Sequence, residues 1–201
     1  MSYLILVRHG ESLWNEKGLW TGLTDVSLSQ KGIEESKKAG EKLKDLPIDI
    51  AYTSPLKRAK ETLYEIKNAL GLSDLQSFEN QALNERNYGV FTGKNKWEIQ
   101  KEVGQERFQK IRRGWDVPIE NGESLKDVYS REVPYYEREI LPKLKSGKNV
   151  LIIAHGNSLR ALVKYLENLS NNDVENLEIV TGEIYIYSFN EQGSIVSKQI
   201  L

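Results

Sequence analysis

Two apolar runs in this chain end the same way. Tyr3-Leu4-Ile5-Leu6-Val7 leads into Arg8-His9-Gly10, and Val150-Leu151-Ile152-Ile153-Ala154 leads into His155-Gly156. Such unbroken runs predict strands buried on both faces, and the glycine beyond each lets the backbone turn sharply. Ile48–Thr53 reads as a third, shorter strand. Ile184–Phe189 and Ile195–Ile200, separated by a turn at Gly193, read as a closing hairpin. Helical spacing fills the intervals. Ser29 caps a helix with Ile33, Ala39, Leu43 and Leu46 at near-helical spacing. Ser54, with Pro55 at the first helical position, caps a second that runs to about Leu70 and ends at Gly71. Ser124-x-x-Asp127 is a capping box that opens a long amphipathic helix reaching toward Leu144, in which Pro134 predicts a kink or local break. Leu159–Leu166 is the last helix, and Leu83–Gly122 is the least regular stretch. Strands alternating with helices predict an α/β fold in three layers, a mostly parallel central sheet with helices on both faces.

No repeat, low-complexity tract or linker divides residues 1–201, so a single domain is expected. The chain has two histidines, and both stand at the ends of strands, the edge of an open α/β sheet where ligands bind. A catalytic site built from them requires the two strand ends to converge. A net charge of −1 argues against a general nucleic-acid or membrane-surface partner. The absence of cysteine excludes disulfides, thiolate catalysis and Cys-ligated metals. No stretch is long and apolar enough to span a bilayer, and no signal peptide is visible, so a cytoplasmic location is expected.

In Arg8-His9-Gly10-Glu11 a guanidinium stands beside an imidazole. Arginine offers phosphate a planar fork of donors, and a neutral imidazole can attack phosphorus. A plain Arg8–Glu11 salt bridge accounts for the same residues. Arg58 lies near a helix start, where positive charge opposes the helix dipole unless an anion binds there; a solvated basic face with Lys57 and Lys60 is the alternative. Arg112 and Arg113 are adjacent, so they serve one ligand only where the chain leaves a helix. Glu85 is a candidate acid/base. The spacing of His, Asp and Glu matches no ordinary metal site, so no metal is expected.

Taken together, LVRHGES (Leu6–Ser12), TSPLKRAKET (Thr53–Thr62), LNERNYG (Leu83–Gly89), FTGKNK (Phe91–Lys96), RRGWDVP (Arg112–Pro118) and AHGNSLRALVKYL (Ala154–Leu166) resemble the cofactor-dependent phosphoglycerate mutases. These form the 2,3-bisphosphoglycerate-requiring branch of the histidine phosphatase superfamily. The resemblance runs from about Tyr3 to Phe189 and implies the phosphoglycerate mutase-like fold. It implies interconversion of 3-phosphoglycerate and 2-phosphoglycerate, with 2,3-bisphosphoglycerate as phosphoryl donor and a small-molecule phosphoglycerate as partner. Position by position, it makes His9 the phosphorylated nucleophile and His155 the stabiliser of the moving phosphoryl group. Arg8, Arg58, Asn15, Gly156 and Asn157 complete the phosphate pocket, and Glu85 is the acid/base. Tyr88, Lys96, Arg112 and Arg113 hold the carboxylate and second phosphate, and Ser12, Thr21 and Gly22 line the same cleft.

Longer family members carry an insertion after the DVP segment and a C-terminal tail over the cleft. Here Pro118 is followed within a few residues by Gly122-Glu123-Ser124. A less covered cleft and a monomer or homodimer are therefore expected. Two rival readings remain: a broad-specificity phosphomonoesterase, which needs no second anion site, and a non-catalytic phospho-ligand sensor, which needs neither histidine nor Glu85.

Overall fold

The computed structural model describes residues 1–201. In chain order the strands are β1 (Ser2–Arg8), β2 (Ile50–Thr53), β3 (Ser77–Glu79), β4 (Val150–Ala154), β5 (Ile184–Phe189) and β6 (Ile195–Ile200). The helices are α1 (Leu13–Glu16), α2 (Gln30–Lys42), α3 (Lys57–Leu70), α4 (Lys96–Val103), α5 (Gln105–Arg113), α6 (Leu125–Tyr135), α7 (Leu141–Lys145), α8 (Gly156–Glu167) and α9 (Asn171–Asn176). The sheet order is β3-β2-β4-β1-β5-β6. The first four strands are mutually parallel, and β5 runs antiparallel to both β1 and β6.

Side chains alternate across the sheet and divide the core in two. Leu4, Leu6, Ile152 and Ala154 pack with Tyr135, Tyr136, Leu159 and Leu162 on one face. Ile5, Val7, Leu151 and Ile153 pack with Ala39, Ala59, Leu63 and Ile66 on the other. Helices α2 and α3 thus cover one side and α6 and α8 the other, giving the expected three layers. A separate cluster of Trp20, Tyr88, Ile99, Phe108, Ile111 and Ile119 supports the loops beyond the sheet's end.

The hairpin β5–β6 has the bounds expected of it, and Ser124 with Asp127 forms a capping box. Pro134 lies in the last turn of α6, and the chain widens into a π-helical turn over Tyr136–Ile140 before α7 begins. Proline lacks the N–H that would continue the ladder, and a π turn absorbs the resulting misfit without ending the helix.

Five elements differ from the expectation. Ser54 does not cap α3, which starts at Lys57 with Leu56 at its N-cap; the serine hydroxyl is engaged by His155 instead. Helix α8 begins directly after His155 rather than at Leu159, because Gly156, Asn157 and Ser158 are polar or small yet helical. The irregular middle contains α4 and α5, short helices whose few buried positions (Ile99, Phe108, Ile111) give too sparse a periodic signal. Strand β3 was also not foreseen, being three exposed residues at the sheet edge.

The loop after β1 presses directly on α2. A Cβ on Gly32 would collide with the Glu11 carbonyl, and one on Gly10 with the Gly32 carbonyl. Gly10 N–H donates to Thr62 Oγ1 at 3.1 Å and Ser36 Oγ–H to the Gly32 carbonyl at 2.7 Å, fixing the backbone that carries His9.

Candidate active site

Parallel pairing of β1 with β4 sets Val7 beside Ile153 and Arg8 beside Ala154. The next residue of each strand is a histidine, so register alone delivers both imidazoles to one point. Their ring centroids lie 4.9 Å apart with planes crossed by 61°. Both are buried.

Each ring is oriented by its neighbours. His9 Nδ1 lies 2.6 Å from its neighbour's carbonyl, Gly10 O, which accepts only if Nδ1 carries the proton. The lone pair is then on Nε2, where Arg58 Nε–H points from 3.3 Å. Ser54 Oγ sits 2.7 Å from His155 Nε2 and also accepts from Leu56 N–H at 3.3 Å. The other ring nitrogen, His155 Nδ1, is buried and has no protein partner. Burial, then the guanidiniums of Arg58 and Arg8, hold the His9 imidazole well below its ordinary pKa. His155 is lowered in the same sense by burial, Arg58, His9 and Arg8. Both rings are therefore neutral at neutral pH, as a nitrogen nucleophile requires.

An open cleft lies above the histidines. Asn15, Thr21, Gly22, Arg58, Glu85, Tyr88, Lys96, Arg112, Arg113, Gly156 and Asn157 line it together with Arg8 and His9. Ser12 and His155 do not: the Ser12 hydroxyl caps α1 by accepting from Asn15 N–H at 3.2 Å, a layer behind the wall, and the His155 ring is buried with Nε2 against Ser54 Oγ. Six cationic side chains and two carboxylates border the cleft. Arg8, whose Nε is buried and unpartnered, Arg58 and the N-terminus of α8 surround the histidines. Arg58 is held side-on by the carbonyls of Gly22 (2.9 Å) and Thr24 (3.0 Å). Lys96, Arg112 and Arg113 form a second positive group. Helix α5 ends at Arg113, where the chain turns away at Gly114, so adjacent arginines reach one cleft.

Glu85 links the two groups. Its Oε1 accepts from Arg86 N–H (2.7 Å), Asn157 N–H (3.2 Å) and Asn157 Nδ2 (3.0 Å), leaving Oε2 without a protein donor. Burial, followed by the charges of Arg112 and Arg8, lowers Lys96 to about 8. An unpartnered buried donor on Arg8, with a lysine driven toward neutrality by burial and its cationic neighbours, is what a site built for more than one anionic group displays.

Sequence reading missed Trp20, Arg160, Glu178 and Ile179 among the lining residues, and Ser54 behind His155. Arg160 carried a legible signal, lying one helical turn after Asn157. Glu178, paired with Arg113 at 2.5 Å, carried none, because it stands in a coil more than sixty residues away in sequence.

A strand-end histidine pair, flanked by arginines and a helix N-terminus, defines a phosphoryl-transfer class. The chain belongs to branch 1 of the histidine phosphatase superfamily, whose family model matches residues 4–199. Within that class it is similar to 2,3-bisphosphoglycerate-dependent phosphoglycerate mutases. One from Parvibaculum lavamentivorans is 46% identical over 98% of this chain and 95% of its own length. Another from Chelativorans sp. is 49% identical over 98% of this chain and 97% of its own. The compact length is thus shared with these relatives. A solved mycobacterial glucosyl-3-phosphoglycerate phosphatase, in complex with VO3, has the same fold, with a TM-score of 0.81 at 23% identity covering 100% of this chain and 98% of that one.

Proposed function

We propose that the protein interconverts 3-phosphoglycerate and 2-phosphoglycerate, the mutase step of glycolysis and gluconeogenesis, through a phosphohistidine at His9. The observation that carries this reading is the second cationic group, Lys96 with Arg112 and Arg113, facing the same cleft as the nucleophile. A simple monoesterase needs one anion site, whereas a mutase must hold a carboxylate and a phosphate while another phosphate reacts. The relatives named for this activity, matching nearly end to end, support it.

When bound, 2,3-bisphosphoglycerate supplies the phosphoryl group that charges His9. The residues then divide the work. His9 Nε2 attacks phosphorus, and the Gly10 carbonyl steadies the positive charge that develops on the ring through Nδ1–H. Arg8, Arg58, His155 and the N–H of Gly156 surround the place of the three equatorial oxygens in flight, a preorganised field aimed at developing charge. Glu85 Oε2 gives a proton to the departing substrate oxygen and takes one from the hydroxyl that attacks the phosphohistidine on return. Lys96, Arg112, Arg113 and Tyr88 grip the other anionic groups and permit the bound glycerate to present either oxygen to His9.

An enolase-coupled assay with 3-phosphoglycerate tests this. Turnover stimulated by added 2,3-bisphosphoglycerate is the expected result. Release of inorganic phosphate with little enolase coupling would instead establish a phosphomonoesterase.

A further inference from the structure

Arg160, on α8, is buried and touches no carboxylate; its two terminal nitrogens donate to three oxygens. Nη1–H donates to Asn157 Oδ1 at 2.9 Å, and Nη2–H to the carbonyls of Arg113 at 2.9 Å and Val174 at 2.5 Å. A guanidinium can only donate, so the Asn157 atom facing it must be the carbonyl oxygen. The NH2 group is then turned the other way, to Glu85 Oε1 at 3.0 Å and the Tyr88 hydroxyl oxygen at 2.7 Å. Since Tyr88 oxygen accepts there, its own O–H is left to donate into the cleft. The other branch of Arg160 holds the last carbonyl of α5, which determines where Arg113 leaves the helix.

We propose that Arg160 is a positioning residue that sets the donor–acceptor direction of the Asn157–Glu85–Tyr88 network and, through the same guanidinium, registers the second anion site against the acid/base carboxylate. This rests on the mutase reading above. With Arg160 absent, the Asn157 amide is free to rotate and present its oxygen to Glu85, destabilising the carboxylate. Glu85 also loses a neighbouring cation that favours its ionised form. Both changes loosen the hold of the network on the Glu85 carboxylate, leaving Arg8, Arg58 and Lys96 as the cations that face it.

The test compares wild type, Arg160→Lys and Arg160→Met for mutase kcat and KM across pH. Arg160→Met should lose roughly a hundredfold in kcat/KM, as expected for a misplaced reacting group. The acidic limb of its profile should move up by about one pH unit, as expected when a carboxylate loses a nearby cation and donor. KM should rise through Arg113. Arg160→Lys keeps the charge but not the fork, so its acidic limb should move in the same direction by less. Orthovanadate, which engages the histidines without needing Glu85, should raise the melting temperature of each variant as it does the wild type. In an Asn157→Ala background the pH shift caused by Arg160→Met should largely vanish. An acidic limb unmoved in both Arg160 variants, or a vanadate response lost along with activity, would overturn the proposal in favour of a structural role. A wild-type protein without mutase turnover would overturn the functional reading itself.

Discussion

Among the cleft cations, Lys96 holds its proton least firmly. Its folded-state value of about 8 lies below the ordinary 10.5, so the charged form is disfavoured in the free cleft and the proton leaves as pH rises through 8. A bound anion reverses the balance. The expected result is a fall in kcat/KM for 3-phosphoglycerate above pH 8, with the corresponding limb of kcat displaced to higher pH. Lys96→Arg should flatten the fall. The nucleophile gives a sharper test. Incubation with 2,3-bisphosphoglycerate should add one acid-labile, base-stable phosphoryl group to the wild type and none to His9→Ala, whose turnover should drop by several orders of magnitude. Unchanged turnover in that variant would remove His9 from the mechanism.

At the scale of elements, α6 carries an anomaly just ahead of the π turn. Glu132 is completely buried, and neither carboxylate oxygen has a partner. Burial raises its pKa well above the usual range, against a smaller opposing pull from Arg131. A folded value above the unfolded one means the folded state binds the extra proton. The stability this proton confers is complete below the unfolded pKa and is lost as pH rises through the folded one. Glu132→Leu should therefore stabilise the fold by about 1–3 kcal/mol through relieved polar burial, seen as a higher melting temperature, and the gain should grow with pH. Thermal melts at acid and alkaline pH would show it; a gain independent of pH would show that Glu132 is not protonated in the fold. Nothing in the sequence marks this glutamate, since a helical pattern tolerates one polar residue on its inner face without losing its period.

What was legible follows the same logic. The strands bearing His9 and His155 were readable because parallel strands buried on both faces leave no polar position within them. The caps at Ser29 and Ser124 were readable because the hydroxyl and the amide that it accepts lie within one turn. Ser54 misled for the same reason: Ser-Pro before a helical run looks like a cap, and only the spatial arrival of His155 diverts the hydroxyl. Glu85 and Arg112 became interpretable through resemblance, since their convergence depends on loops whose local pattern is nearly featureless. Glu178 was beyond reach altogether.

For the whole molecule, the six cations at the cleft supply the positive field that a metal would otherwise contribute, so mutase activity should survive exhaustive EDTA treatment. Loss of activity that manganese restores would contradict this. The short segment after Pro118 provides little to close over the bound intermediate. We therefore expect a phosphohistidine that hydrolyses within the time of an assay, a strong dependence on added 2,3-bisphosphoglycerate, and a monomer or dimer by light scattering. A long-lived phosphoenzyme in a larger assembly would refute that expectation.

The cleft's charge has one more consequence, for the approach of ligands rather than their conversion. Six cations and two carboxylates give the cleft a formal plus four, and a chain of formal net minus one then leaves a clear negative excess on the rest of the molecule, even with Glu132 protonated. The protein is thus strongly polarised, with a positive mouth on a negative body. A trianionic metabolite diffusing nearby is repelled by most of the surface and funnelled toward the one region that can use it. Such guidance fades over about 10 Å at 0.1 M salt. The rate of productive encounter should accordingly fall as ionic strength rises, well before any contact within the cleft is broken.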